Sequence, residues 1–234
     1  DSKFATLEQN DDYYIPLLKN FNPYNVYDTL DFIYEHKEKI IRRMNTSLVK
    51  KWNRNPEIIF YDVTNFFFET EDPDEDVIDN DGNVIEKGFR KMGVSKENRK
   101  QPIVQMGLFM DDKGLPISIE SFPGNTLDAS TLKPALSKSI DRLEYARFIM
   151  IADRGMCNHQ NILYLLDHNN GYIIGKSLLK STTAEQEWAY SDTDFIEEGK
   201  DFKYKSKIIK RTAKDANGRK RTITEKIIVY WTRK

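Results

Sequence analysis

The most apolar run in the chain is Glu57–Phe68 (EIIFYDVTNFFF), β-branched and aromatic residues around a single aspartate. It predicts a strand, and one so apolar on both faces belongs in the middle of a sheet. Upstream, Val26, Leu30, Ile33, Ile40, Ile41, Met44 and Leu48 recur mostly at helical spacing. They predict one long or two short helices up to about Trp52, with Asn55-Pro56 as the stop. Downstream, Pro102–Met110 and Leu115–Phe122 flank Asp111-Asp112-Lys113-Gly114 as a hairpin. After the turn Pro123-Gly124-Asn125-Thr126, a helix is expected from Asp128 through Leu132, Ala135, Leu136 and Ile140 to about Leu143. Phe148–Ala152 reads as a short buried parallel strand and Tyr172–Lys176 as another. Between them Asn158–Asn169 reads as a helix with Ile162, Leu163, Leu165 and Leu166 inward. Beyond Lys176 the pattern changes to two β-rich pieces, Phe202–Lys210 and Thr222–Thr232, around Asp215-Ala216-Asn217-Gly218.

Three hairpin-linked strands followed by strand–helix–strand crossovers predict an α/β fold on a mixed sheet with flanking helices. The expected organisation is a helical segment over 1–55, a core over 56–178 and a basic β-rich segment over 179–234. Hydrophobic residues at 39% and charged residues at 31% fit a globular chain, and no apolar stretch is long enough to span a bilayer, so no membrane is expected. The lone Cys157 excludes a disulfide framework and a cysteine-based zinc site and fits a reducing cytosol. His36, His159 and His168 are too scattered for a histidine metal cluster. The start Asp1-Ser2-Lys3 carries no signal pattern and no initiator Met, which points to a processed, excised or partial chain.

A net charge of −1 hides an asymmetry. Glu69–Glu86 holds nine Asp/Glu and no Lys/Arg, whereas Lys200–Lys234 holds thirteen Lys/Arg against three Asp/Glu. The basic block suits either a phosphate backbone or a solvated charged hairpin. The acidic block is not a calcium loop: with Gly82 as sixth residue, positions one and twelve are Val77 and Gly88.

Two aspartates stand out by placement. Asp62 lies within the most apolar strand and Asp153 ends another, where ligands of α/β sheets collect. If those strands are neighbours, the two carboxylates converge, and their repulsion calls for a cation. Mg²⁺ favours a few carboxylates plus waters and phosphate oxygens. The competing reading of each is a turn former or helix cap. Aspartyl-phosphate hydrolases need Asp-x-Asp, and position 64 is Thr64.

The blocks Tyr61-Asp62-Val63-Thr64, Gly107-Leu108, Gly114-Leu115-Pro116, Phe122-Pro123-Gly124-Asn125-Thr126 with Asp128, and Ile151-Ala152-Asp153-Arg154-Gly155-Met156 closely resemble insertion-sequence transposases of the DDE type. The resemblance runs from about Val26 to the end. It implies a ribonuclease-H-like core with a basic β-strand insertion before the last acidic residue. It further implies Asp62 and Asp153 as the first two of three catalytic, metal-binding carboxylates, holding Mg²⁺ or Mn²⁺, with two ions expected. Cleavage and strand transfer at transposon ends follow, with transposon-end and target DNA as partners and a homodimer on DNA. A bacterial or archaeal cytoplasm, at the nucleoid, is the expected location. The family's third carboxylate lies in a Tyr-x2-Arg-x3-Glu-x6-Lys pattern. Tyr230 and Arg233 match its beginning, but no Glu follows before Lys234, so the chain is expected to stop inside or just after the insertion. DNA contacts are expected from Arg154, Asn125, Thr126, Lys210, Arg211, Arg219, Lys220 and Arg221. Asp128 reads as a helix cap, and Thr64 shares the Asp62 face. The second reading is a catalytically inactive relic or fragment that only binds DNA.

Overall fold

The run around Asp62 becomes strand β1 (Ile58–Phe67), the central member of a five-stranded sheet. The computed structural model describes residues 22, 24–54, 56–96, 98, 100–140 and 147–233. They divide into two compact units, Asp1–Asn55 and Pro56–Lys234. In the first, the helical spacing gives one long helix, α1 (Tyr24–Trp52), none of whose residues is buried. Arg54 donates to Asn45 Oδ1 at 2.7 Å just past its end.

In the second unit the acidic stretch forms a small ribbon, β2 (Val77–Ile78) and β3 (Val84–Glu86), turned by Asp79–Asn83. The chain continues through β4 (Ile103–Asp111), β5 (Pro116–Pro123), α2 (Asp128–Ile140), β6 (Ile149–Ala152), α3 (His159–Asp167) and β7 (Gly171–Ile174). The sheet order is β5-β4-β1-β6-β7. The pairs β5–β4 and β4–β1 are antiparallel, and β1–β6 and β6–β7 are parallel. This is the ribonuclease-H-like mixed sheet that the resemblance implies.

One sheet face carries the core. Ile59, Tyr61 and Val63 of β1, Phe109 of β4 and Met150 of β6 pack with Leu132 and Leu136 of α2 and Leu165 of α3. Each such side chain removed from water contributes about 1.5–3 kcal/mol. The alternate residues of β1, Phe60, Asp62, Thr64 and Phe66, are exposed on the other face. Sheet centrality is therefore as expected, but burial on both faces is not: among the described residues Phe60, Ile149 and Ile173 lie open. Leu166, expected inward, is exposed, because α3 turns Asn161, Ile162, Leu163 and Leu165 toward the interior. Residues 141–146, where α2 was expected to end, lie outside the described residues.

A helix absent from the sequence reading follows β7. This α4 (Thr183–Tyr190) starts on a capping box in which Thr182 and Glu185 satisfy each other's backbone N–H groups. Then β8 (Ile196–Glu197), β9 (Phe202–Lys214) and β10 (Lys220–Thr232) form a second sheet of order β10-β9-β8. The hairpin docks on α3 through Ala213 and Ile223 against Ile162 and Leu163. Gln160 Nε2 donates to the Lys214 carbonyl at 3.0 Å alongside. Among the described residues, no helix is long and apolar enough to cross a membrane.

Candidate functional site

The parallel register of β1 and β6 ends at Tyr61 opposite Ala152. The next residue on each strand is an aspartate, Asp62 and Asp153. Asp153 follows the last residue of β6 with a still extended backbone (φ −69°, ψ 166°), just before the turn Arg154–Met156. Neighbouring strands run about 4.8 Å apart, and alternate residues share a face. Phe60, Asp62 and Asp153 are exposed while Tyr61 and Ala152 are buried, so both carboxylates stand side by side on the open face. Asp62 is not a buried carboxylate; its side chain is 67% exposed. Thr64 lies on the same face, as expected.

Each aspartate spends one oxygen on the backbone. Asp62 Oδ1 accepts from the Val63 N–H at 2.8 Å and Asp153 Oδ1 from the Arg154 N–H at 2.6 Å. Both carboxylates are thereby oriented, and no hydrogen bond to either Oδ2 is found among the described residues. Hard, solvent-open oxygens from two adjacent residues fit a divalent cation that completes its shell with water and phosphate. Among the described residues no third His, Cys, Asp or Glu joins them. Lys96, which the sequence reading passed over, reaches this face. Its ammonium donates to the Val63 carbonyl and lies 4.0 Å from Asp62 Oδ1.

The Asp153 turn is fixed from below. Asn161, 1% exposed, donates from Nδ2 to the carbonyls of Ala129 (2.9 Å) and Met156 (3.0 Å). Asn158 caps α3 by accepting from the Asn161 N–H and also donates to the Ala129 carbonyl at 3.0 Å. The start of α2 is thus tied to the turn that carries Asp153. On the buried side, the Tyr61 hydroxyl donates to Thr131 Oγ1 at 2.8 Å, and Thr131 donates to the Asp128 carbonyl at 2.7 Å. Burial of Tyr61, aided by the nearby Asp128, Glu120 and Asp62 charges, pushes its phenol well above the ordinary range, so it stays neutral. Gly107 makes room for that phenol: a Cβ there would lie 2.3 Å from the Tyr61 hydroxyl oxygen.

The Phe-Pro-Gly-Asn-Thr block has a structural cause as well. A Cβ on Gly124 would lie 2.0 Å from the Ile103 carbonyl, so only glycine lets the chain cross there. The Thr126 N–H closes the turn on the Pro123 carbonyl at 2.9 Å, with Asn125 exposed. Neither Asn125 nor Thr126 has a side-chain hydrogen bond to Asp62 or Asp153. Asp128 opens α2, and its carboxylate packs near Gly155. Arg154 is exposed beside Asp153, with no ion pair among the described residues.

The basic hairpin divides by face. Arg211 pairs with Glu185 of α4 and with Glu225 of β10, whose other oxygen accepts from the Tyr172 hydroxyl at 2.8 Å. Arg221 pairs with Asp167 of α3 at 2.6 Å. Both arginines, expected from sequence as DNA contacts, are ion-paired, Arg211 within the hairpin and to α4 and Arg221 to α3. Lys203, Lys205 and Lys207 also turn inward, over Phe195, Trp188 and Trp231. Lys205 is fully buried, its ammonium on the Ser191 carbonyl and hydroxyl. Lys210, Arg219 and Lys220 stay exposed, with no acidic partner among the described residues.

No curated protein sequence matches the chain significantly. Among solved structures, the Mos1 transposase paired-end complex with left transposon end is 15% identical, with a TM-score of 0.34 over 67% of this chain and 55% of that one. The Mos1 mariner paired end complex with Mn is 16% identical, at 0.34 over 73% and 50%. The piggyBac transposase synaptic complex with hairpin DNA is 10% identical, at 0.41 over 76% and 36%. The chain spans about half the length, or less, of these structures. The profile of the transposase DDE domain matches residues 55–232, which is most of the sequence. The chain therefore belongs to the transposase DDE domain family.

Proposed function

We propose that this chain is the catalytic domain of a DNA transposase and that Asp62 and Asp153 are two of its catalytic carboxylates. The observation that carries the reading is their adjacency one step past the Tyr61–Ala152 register pair, on the open face of the sheet. The two carboxylates would hold Mg²⁺ or Mn²⁺, two ions in the full site. Such cations, when bound, would supply activation of the attacking oxygen and stabilisation of the leaving oxygen of a phosphodiester. Asp62 and Asp153 supply the negative charge and, through their backbone hydrogen bonds, a fixed orientation. A third carboxylate is needed to complete the set, and no described residue supplies it beside the pair.

DNA approaches from the open face. Arg154 stands next to Asp153, and Asn125 and Thr126 occupy the turn before α2, where each can meet a phosphate. Lys210, Arg219 and Lys220 present charge on the outer side of the hairpin and favour the backbone of transposon-end or target DNA. Pairing two ends calls for a homodimer on DNA, and the site of action is the nucleoid of a bacterial or archaeal cytoplasm. A second reading, a domain that binds DNA without cutting it, draws on the lack of a third carboxylate beside the pair among the described residues, because incomplete ligation removes most of the rate.

Mn²⁺-dependent cleavage of a duplex carrying the element's terminal sequence tests the proposal. Asp62→Asn and Asp153→Asn are each expected to abolish cleavage while circular dichroism stays unchanged. Undiminished cleavage in either variant rejects the assignment. Wild-type binding without any cleavage selects the second reading.

A further inference from the structure

We propose that Lys96 is a positioning residue that seats a DNA backbone phosphate beside Asp62 and Asp153. The inference rests on reading those aspartates as the catalytic pair. The Lys96 ammonium donates to the Val63 carbonyl and lies 4.0 Å from Asp62 Oδ1, too far for a hydrogen bond. An ammonium has three N–H donors, so donors remain after Val63 is satisfied. Its side chain is 51% exposed, on the same open side as the carboxylate it faces.

The surrounding backbone explains why there is room for a ligand. Past Tyr61, β1 has a described strand neighbour only on the β4 side, because β6 ends at Ala152. The loop carrying Lys96 is anchored by the buried Ser95 and bends at Asn98, whose φ of 54° lies in the left-handed region. Lys96 is therefore presented from a fixed root rather than from a free tail.

Charge gives the placement a purpose. Two adjacent carboxylates repel an incoming phosphodiester, and a cation at their edge offsets that repulsion. Lysine acts as a compact point charge for phosphate, with rotatable donors and no preferred plane. An ion pair this exposed adds little to stability, so a purely structural role leaves the exposed charge without use. The sequence gives no local hint, since Lys96 is 33 residues from Val63 in a polar loop.

The test uses the whole protein and a fluorescein-labelled duplex carrying the element's terminal sequence. Binding is measured in EDTA across a salt series. Single-turnover cleavage is then measured with Mn²⁺. Lys96→Gln is expected to make the slope of log affinity against log salt shallower by about one, the mark of one lost phosphate contact. Its cleavage rate should fall about a hundredfold, the scale of one electrostatic donor lost at the reacting group. Lys96→Arg keeps the charge and should restore the slope and most of the rate, which guards against a folding artefact. A Lys96→Gln protein with wild-type slope overturns the proposal, whether or not its melting temperature drops. Asp62→Asn separates the two readings. If it cleaves DNA, the catalytic pair itself is wrong. If it is dead while Lys96→Gln keeps the wild-type slope, only the role of Lys96 is wrong.

Discussion

Replacing Asn161 with alanine tests whether the Asp153 turn is held from below. The side chain is 1% exposed, and its amide donates to the Ala129 and Met156 carbonyls. Truncation removes both bonds, yet neither carbonyl is orphaned. Ala129 keeps the Asn158 side chain at 3.0 Å, and Met156 keeps the Asn158 N–H at 2.9 Å. The cost is then two ordinary hydrogen bonds, about 1 kcal/mol each, rather than two full desolvation penalties. A small cavity adds to this, giving about 2–3 kcal/mol in all. For a domain of this size that corresponds to a melting temperature lower by roughly 4–12 °C. Urea denaturation measures the loss directly. Asn161→Asp keeps the shape but sets acceptor against acceptor at a buried site, so it should cost more near neutral pH. Asn158 shares the Ala129 carbonyl, so the double variant should depart from additivity. A loss below about 0.5 kcal/mol for Asn161→Ala means that Asn161 does not hold the turn, since surface changes of no consequence fall in that range.

Gly107→Ala places a methyl 2.3 Å from the Tyr61 hydroxyl and should destabilise by about 1–3 kcal/mol in chemical denaturation. Tyr61→Phe should rescue it only in part, because ring carbons still lie 2.9 Å from the new methyl. Arg211→Gln leaves Glu185 and Glu225, 12% and 14% exposed, without their shared cation and should cost about 2–3 kcal/mol, discounted from a fully buried pair. Lys210→Gln should change stability by less than about 0.5 kcal/mol and instead make the salt dependence of DNA binding shallower. Burial works to raise the pKa of Glu185, but Lys176 and Arg211 outweigh it and hold the carboxylate below the ordinary range. A depressed folded pKa contributes stability above the unfolded value of about 4.3, and that stability is lost as pH falls through the folded one. The stability gap between wild type and Glu185→Gln should therefore narrow on acidification from neutral pH. A widening gap contradicts the ion-pair assignment.

The sheet was legible because β1, β4 and β5 carry strong strand patterns and hairpin turns. The neighbouring placement of Asp62 and Asp153 was legible as well, but partly for a wrong reason. Asp62 drew notice as a carboxylate in an apolar strand, yet it lies on the exposed face. Phe60 and Phe66, the flanking residues on that face, read as core in a linear pattern, although they are open among the described residues. What brings Asp62 to Asp153 is the parallel register, a long-range property that no local spacing encodes. The basic hairpin is more divided than its summed charge suggests. Charge was summed along the block, whereas a strand alternates, so Lys205, Lys207 and Arg211 face inward while Lys210 faces out. Helix α4 was missed although its start, Thr182 with Glu185 three residues on, is a local signature. The support under Asp153 was beyond reach, because Asn161 finds Ala129 32 residues away.

On the proposed reading, Asp62 and Asp153 together hold a divalent cation. Mn²⁺ binding to the protein, followed by electron paramagnetic resonance in the absence of DNA, tests it most directly. Saturable binding is expected in the wild type, lost in both Asp62→Asn and Asp153→Asn and retained in Lys210→Gln. Wild-type binding in either aspartate variant would contradict that reading.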